Sequence, residues 1–307
     1  MRVLVTGASG FTGRHMVDYL VSLPGVRPEI FGMSRSPPPG AGTRWVQADL
    51  TDGASVARVV RDVLPDLVIH LAGLNRGSLR RLLEVNVIGT EQLLDAVLHE
   101  APDARVLVVG SSAEYGYAGE APIPENAPLR PVGPYGISKA AEDLLARRYH
   151  AVHDLSVAVA VPFNLVGPGL DESFVSSRII SQALEIVRGA RSAIDLQGLD
   201  SKRDFVDVRD AVAAYWQILT ADGFGEHIAG EKLNIGSGTV HSIAEVVDLV
   251  QRFLGAGFEI DLPAVCPPDP VPTQTADISR IRSLVGWSPR VPLEASIRDM
   301  IACAQAG

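Results

Sequence analysis

Val3-Leu4-Val5-Thr6-Gly7-Ala8-Ser9-Gly10-Phe11-Thr12-Gly13 is the stretch that decides the fold. An apolar run of strand character enters a row of glycines, and a helical period follows. A strand that turns tightly into a helix aims free backbone N–H groups and the positive end of the helix dipole at one point. A pyrophosphate can sit there if no side chain intrudes. Gly7 serves the turn, Gly10 the close approach of backbone to phosphate, and Gly13 the packing of helix on strand. The spacing departs by one residue from G-x-G-x-x-G, so the loop needs support from the rest of the chain.

Working outward, short apolar runs lie at Val3–Val5, Glu29–Met33, Trp45–Val46, Leu67–Leu71, Val106–Val109 and Val157–Val161. Helical periods fall between them at Gly13–Ser22, Ser55–Val63, Leu79–Glu100 and Ser138–Val152. The alternation predicts an α/β chain: a Rossmann-type, doubly wound parallel sheet covered on both faces. Beyond Asn164 the rhythm changes. Gly167-Pro168-Gly169 breaks it, and Phe174–Gly189 reads as a helix. Asp204–Leu219 reads as a short strand plus a helix, Ser242–Leu254 as a further helix, and Pro263–Pro272 is proline-rich. These features predict a smaller, mixed C-terminal lobe over the carboxyl edge of the sheet, where such folds bind ligands. The expected division is 1–165 plus about 204–240 for the dinucleotide-binding domain and about 166–203 plus 241–307 for the substrate lobe. Pro37-Pro38-Pro39-Gly40 reads as a loop.

The 307 residues are 47% hydrophobic and 21% charged, with a formal net charge of -9. That is the composition of a soluble globular protein, and its acidic balance argues against nucleic acid or an anionic membrane as partner. No apolar run approaches the roughly 20 residues of a membrane span. Cys266 and Cys303 have neither metal spacing nor a disulfide framework, and no basic-plus-apolar leader precedes the first strand. The expected setting is the cytoplasm. His70, His150, His153 and His227 show no ligand spacing, so no metal is expected. Trp45, Trp216 and Trp287 read as core or lobe packing.

Tyr135-Gly136-Ile137-Ser138-Lys139 supplies the chemistry. Its phenol and ammonium stand at i and i+4, on one face of a helix. A cation one turn away stabilises the phenolate that proton transfer leaves behind, so the phenol can exchange a proton with a substrate hydroxyl or ketone. Ser111, in Val109-Gly110-Ser111-Ser112, follows another apolar run and emerges at the same sheet edge, within reach of the reacting oxygen. Together with the glycine loop these residues point to hydride transfer. Ser34-Arg35-Ser36 follows the second strand with no acid beside it, a pattern that suits a ribose 2′-phosphate, so NADP(H) is favoured and NAD(H) is the alternative. Asp49, ahead of Leu50, either accepts from the adenine amino group or caps the next helix.

These residues resemble the extended short-chain dehydrogenase/reductase family, especially its nucleotide-sugar branch, over essentially the whole chain. The resemblance implies that residues 1–13, with Phe11 and Thr12, hold the cofactor and that Leu71, Ala72 and Gly73 of His70-Leu71-Ala72-Gly73 line its cleft. It makes Asn86 the structural asparagine and a cofactor contact, Ser111, Tyr135 and Lys139 the catalytic set, with Tyr135 and Lys139 also touching the cofactor, and Pro162 a nicotinamide neighbour. Ser112, Asn164, Arg203 and Asp269 become substrate contacts, with Asp207 structural. Relatives pair the helices near Asn86–Glu100 and Ser138–Val152 into a four-helix bundle. That implies a homodimer through Leu93, Leu94, Val97, Leu98, Leu144, Leu145 and Tyr149. Two departures stand out. Cys266-Pro267-Pro268-Asp269 lacks the arginine usual before the proline-aspartate segment, and Val161 stands where relatives often have arginine. Arg178 is the candidate substitute.

The branch performs three chemistries. Dehydratases resembling this chain place an acid two positions before the tyrosine of Tyr115-Gly116. This chain has Ala113 there, and Glu114 is one place off. That leaves a 4-ketoreductase or a 4-epimerase with retained cofactor, both of which use the same three residues. Arg35 leans toward reduction. Lys202–Asp210 and Asp269-Pro270-Val271-Pro272 are most similar to reductases of GDP-4-keto-6-deoxymannose, which form GDP-rhamnose. A dinucleotide-binding redox sensor without turnover is the remote alternative, since such proteins often lose the tyrosine or the lysine and this chain keeps both.

Overall fold

A computed structural model describes residues 1–25, 27–37, 43–263 and 268–306. Cys266 and most of the expected Pro37–Gly40 loop lie outside the described residues. The first half runs β1 (Arg2–Thr6), α1 (Phe11–Ser22), β2 (Glu29–Ser34), β3 (Arg44–Gln47), α2 (Gly53–Val63) and β4 (Leu67–His70). Next, α3 (Leu79–Leu82) joins α4 (Gly89–Glu100) through a π-helical stretch (Leu83–Ile88). Then come β5 (Arg105–Val109), α5 (Pro134–His153) and β6 (Val157–Pro162). The remainder adds β7 (Asn164–Val166), α6 (Val175–Val187), β8 (Ala193–Asp195), β9 (Lys202–Arg203), β10 (Phe205–Asp207) and α7 (Val208–Thr220). It closes with β11 (Lys232–Ile235), β12 (His241–Ser242), α8 (Ile243–Leu254), β13 (Glu259–Asp261), β14 (Thr273–Gln274), α9 (Ser279–Val285) and α10 (Leu293–Ala306).

Seven strands pair in parallel in the order β11-β6-β5-β4-β1-β2-β3. β4, β6 and β11 are buried at every residue, which is why their sequences do not alternate. Helices α2, α4 and α5 pack with one another on one face, and α1 packs on α7 across the other. α5 starts at Pro134, four residues before the expected Ser138, because proline's fixed φ suits the first helical position after the Gly133 cap.

A second apolar cluster joins Ile179, Ile180, Ala183 and Leu184 of α6 to Val246 and Val250 of α8 and Ile297, Met300 and Ile301 of α10. It is the core of the smaller lobe, trimmed by the short sheets β12-β9-β14, β10-β7 and β13-β8. Ala276, Ile278, Ile281 and Trp287 pack instead into the main sheet core, although they lie inside the stretch expected to form the small lobe. Trp216 and Trp287 are buried, but Trp45 is 39% exposed on the edge strand β3, so it is not a core residue. Among the described residues no helix is long and apolar enough to cross a membrane.

Candidate active site

The sheet order reverses between β1 and β4, the point where doubly wound folds leave room for a ligand. A cleft of about 840 Å³ opens there, walled by the carboxyl ends of β1, β4, β5 and β6 on one side and by the small lobe on the other. Gly7 leaves β1 at a φ of +68°, and a Cβ there would lie 2.8 Å from the Ala72 amide nitrogen. A Cβ on Gly13 would lie 2.1 Å from the Gly7 carbonyl oxygen. Only glycine lets the helix come so close to the strand. Gly10 caps α1 without a side-chain bond, so the first N–H groups of the helix keep their donors for the cleft that Gly10, Phe11, Thr12 and Gly13 line. A cradle that side chains would fill, set at an uncapped helix N-terminus, fits a pyrophosphate.

An adjoining hollow of about 240 Å³ shares Gly7, Gly10, Leu71 and Gly73 with the cleft and continues along Ser34, Arg35, Asp49, Leu50 and Ala72. It has the place and shape for the adenosine half of a dinucleotide. Arg81, absent from the sequence candidates, also faces it and is held by Glu84 at 2.8 Å. The signal available was its position one residue before buried Leu82, in the connection from β4 to β5. Asp49 does not cap α2, a role that falls to Asp52. Its Oδ1 accepts from the Thr51 amide at 2.9 Å and the Thr51 hydroxyl at 2.8 Å. The Thr51 bonds, with Arg35 and Arg81 nearby, hold the Asp49 carboxyl below the usual range.

Asn86 is fully buried and lines neither space. Its Oδ1 accepts from the Leu74 amide at 2.7 Å, and its Nδ2 donates to the Leu74 carbonyl at 2.8 Å and to the Ser138 hydroxyl at 3.0 Å. It therefore ties the loop after β4 to the first turns of α5. Ser111, Tyr135 and Lys139 all line the cleft, as do Pro162 and Asn164. Gly136 makes this convergence possible, because a Cβ there would lie 2.5 Å from the Ala113 carbonyl oxygen. Lys139 is 6% exposed; its Nζ donates to the Val109 carbonyl at 2.8 Å and to Glu142 at 2.6 Å.

The substrate side differs from the sequence expectation at several points. The Ser112 hydroxyl, though at the cleft wall, donates to the Gln274 side chain at 2.9 Å, and Gln274 itself lines the cleft. Asn164 donates its amide group to the Asp204 carbonyl at 3.1 Å. Arg203 lines the cleft and donates to Asp269 at 2.6 Å, while Asp269 does not reach the cleft wall. Arg178 is not brought to the cleft at all; it lines a separate hollow with Gln182 and Asp195. Asp207 caps α7 and binds Arg209 and Ser296. Arg76, in a loop with no pattern to single it out, lines the cleft and bridges its mouth to the Ser173 carbonyl at 2.6 Å.

Residues 4–300 match the family model described as GDP-mannose 4,6 dehydratase. The chain belongs to this family. A GDP-6-deoxy-D-mannose reductase from Pseudomonas aeruginosa is 30% identical to it over 98% of this chain and 96% of its own. A UDP-glucose 4-epimerase from Streptomyces lividans is 30% identical over 94% of this chain and 91% of its own. Among solved structures, RMD from Pseudomonas aeruginosa complexed with NADPH superposes with a TM-score of 0.84 at 28% identity, covering 99% of both chains. The family member described here is thus an NAD(P)-dependent oxidoreductase of the extended short-chain dehydrogenase/reductase type, in the group of nucleotide-sugar reductases, epimerases and dehydratases.

Proposed function

We propose that the chain is an NADPH-dependent 4-ketoreductase of a nucleotide-linked 4-keto-6-deoxy sugar, of the type that converts GDP-4-keto-6-deoxymannose to GDP-rhamnose. The observation that carries this reading is the adenosine hollow. Arg35 and Arg81 both line it together with Ser34, and two guanidinium groups there favour a 2′-phosphate. The Pseudomonas aeruginosa reductase and the NADPH-bound structure support the same choice.

The same site argues against dehydration. Ala113 lines the cleft where the family resemblance puts an acid. Glu114 is fully buried and paired with Lys232 at 2.9 Å, and burial pushes its carboxyl up to about 7 against the pull of that lysine. It does not line the cleft, so it offers no proton to a sugar held there.

When bound, the nicotinamide would supply the hydride. Tyr135 would give a proton to the oxygen at C4 as its charge develops, Lys139 would stabilise the phenolate left behind, and Ser111 would donate to the same oxygen. Asn164 and Arg203 would hold the diphosphate, with Gln274 and Arg76 nearby on the cleft wall. Of the apolar residues read as a dimer face, Leu93, Leu94, Val97 and Tyr149 are buried in the subunit, whereas Leu144 is 55% exposed. We place the homodimer contact on the exposed stripe Ile137, Leu144 and Val152 of α5 together with Ile88; light scattering at micromolar concentration should give twice the chain mass. A reducing cytoplasm suits the exposed free thiol of Cys303.

The reading is tested by mixing purified protein with NADPH and GDP-4-keto-6-deoxymannose. Stoichiometric oxidation of NADPH supports the reductase. No net oxidation, with NAD co-purifying and a 4-epimer forming from a plain nucleotide sugar, replaces it with the epimerase.

A further inference from the structure

A buried carboxylate that the proposed chemistry does not use stands directly behind Lys139. Glu142 is 1% exposed, and its Oε2 accepts from the Lys139 ammonium at 2.6 Å. On its other side, hydrogen bonds run back to the cofactor loop in one direction only. The amides of Leu71 and Ala72 both donate to the Thr6 hydroxyl oxygen at 3.1 Å, so the Thr6 proton goes to His70 Nδ1 at 2.7 Å. His70 is fully enclosed; burial and the nearby Lys139 charge push it down to about 3, so the ring is neutral. With Nδ1 accepting, Nε2 carries the proton and faces the Thr90 hydroxyl at 2.9 Å. Thr90 in turn shares its proton between the Asn86 carbonyl at 2.6 Å and Glu142 Oε1 at 3.1 Å. Every partner of Glu142 is a donor. Burial pushes the Glu142 carboxyl up, and the Lys139 charge with the Lys139 and Thr90 hydrogen bonds pulls it back toward the ionised form.

We propose that Glu142 is a positioning residue for the proton-transfer step, pinning the Lys139 ammonium one helical turn from Tyr135 and keeping it charged inside the protein. A lysine ammonium has three donors. Val109 and Glu142 take two of them, and the third is left for the cleft that Lys139 lines. Without a counterion, burial favours loss of the lysine proton. Here that burial is opposed by Glu142 first and Tyr135 next, and the ammonium is held above the ordinary lysine value. The other charged groups around the pair are already engaged. Glu114 and Asp143 are 2.9 and 3.7 Å from Lys232, and Asp143 is also bound to Arg147 at 2.9 Å. No other carboxylate among the described residues is hydrogen-bonded to Lys139. The inference rests on the proposed role of Lys139 but not on the identity of the sugar.

The chain has only three lysines, Lys139, Lys202 and Lys232, which makes a direct test practical. Lysine labelled with carbon-13 at Cε gives one resonance for each, assigned by single Lys→Arg substitutions. In the folded Glu142→Gln protein, the titration of Lys139 should move down by about one pH unit or more. Glu142→Asp, which withdraws the carboxylate by one methylene, should give a smaller shift in the same direction. The alkaline limb of kcat should move with the resonance while NADPH affinity stays within about twofold, a pattern that general loss of packing does not produce. A Lys139 titration unchanged in either folded variant would overturn the proposal. So would a fall in kcat with no movement of the alkaline limb. If no keto sugar is turned over, the resonance still decides the role of Glu142, and only the reductase reading fails.

Discussion

The two ends of the cleft are built on different principles. At the sheet end, Lys139, Glu142, His70 and Asn86 are buried, and each is fixed by hydrogen bonds to strand ends or to the first turns of α5. At the lobe end, Arg203 and Arg76 keep exposed surface, and their partners, Asp269 and the Ser173 carbonyl, sit on loops. Reaction chemistry needs a fixed geometry, which rigid elements supply, while recognition of one nucleotide sugar among many can be left to the periphery. Relatives of this chain are described as acting on different nucleotide sugars, GDP-linked and UDP-linked, which is the variety a peripheral recognition end would allow.

The contrast can be broken at its rigid end first. Tyr135→Phe removes the proposed proton donor and leaves the packing, so kcat should fall by about 10²–10⁴-fold with the KM for NADPH unchanged; stopped-flow absorbance of NADPH checks it. A fall of less than about fivefold would put the proton step elsewhere. At the lobe end, Arg203→Gln should raise the KM for the nucleotide sugar by about 10-fold or more and leave kcat within a small factor, because it removes one charge-assisted contact from a binding wall. A loss confined to kcat would merge the two ends into one machine. The smallest effect concerns the adenosine hollow. Arg81→Gln should weaken NADPH by about 5–10-fold and leave NADH untouched, read as two binding curves by nucleotide fluorescence.

The rigid end was also the more legible in the sequence. Val3–Gly13 and Tyr135–Lys139 carry their geometry in their spacing, because a strand–turn–helix and an i,i+4 pair fix direction locally. Glu142 escaped notice although it lies one turn from Lys139, since i+3 acids on helices are usually solvent-facing. β11 escaped for a related reason: Lys232-Leu233-Asn234-Ile235 reads as an alternating surface strand. Its two polar residues are buried because Glu114 accepts from Lys232, while Asn234 accepts from the Tyr115 hydroxyl and donates to Glu125 and the Ile123 carbonyl. The lobe end was least legible. Arg203 meets Asp269 from 66 residues away, Ser112 meets Gln274 from 162, and Arg178 is turned to a different hollow. No local spacing encodes such meetings.

The central claim is that this cleft reduces a keto sugar with external NADPH rather than shuttling hydride on a retained cofactor. Turnover with NADPH carrying deuterium at nicotinamide C4, followed by mass and proton spectra of the isolated nucleotide sugar, tests it most directly. The account predicts one deuterium at sugar C4 for each NADPH consumed, from one face of the nicotinamide. A product that has changed configuration at C4 without taking up deuterium would contradict it.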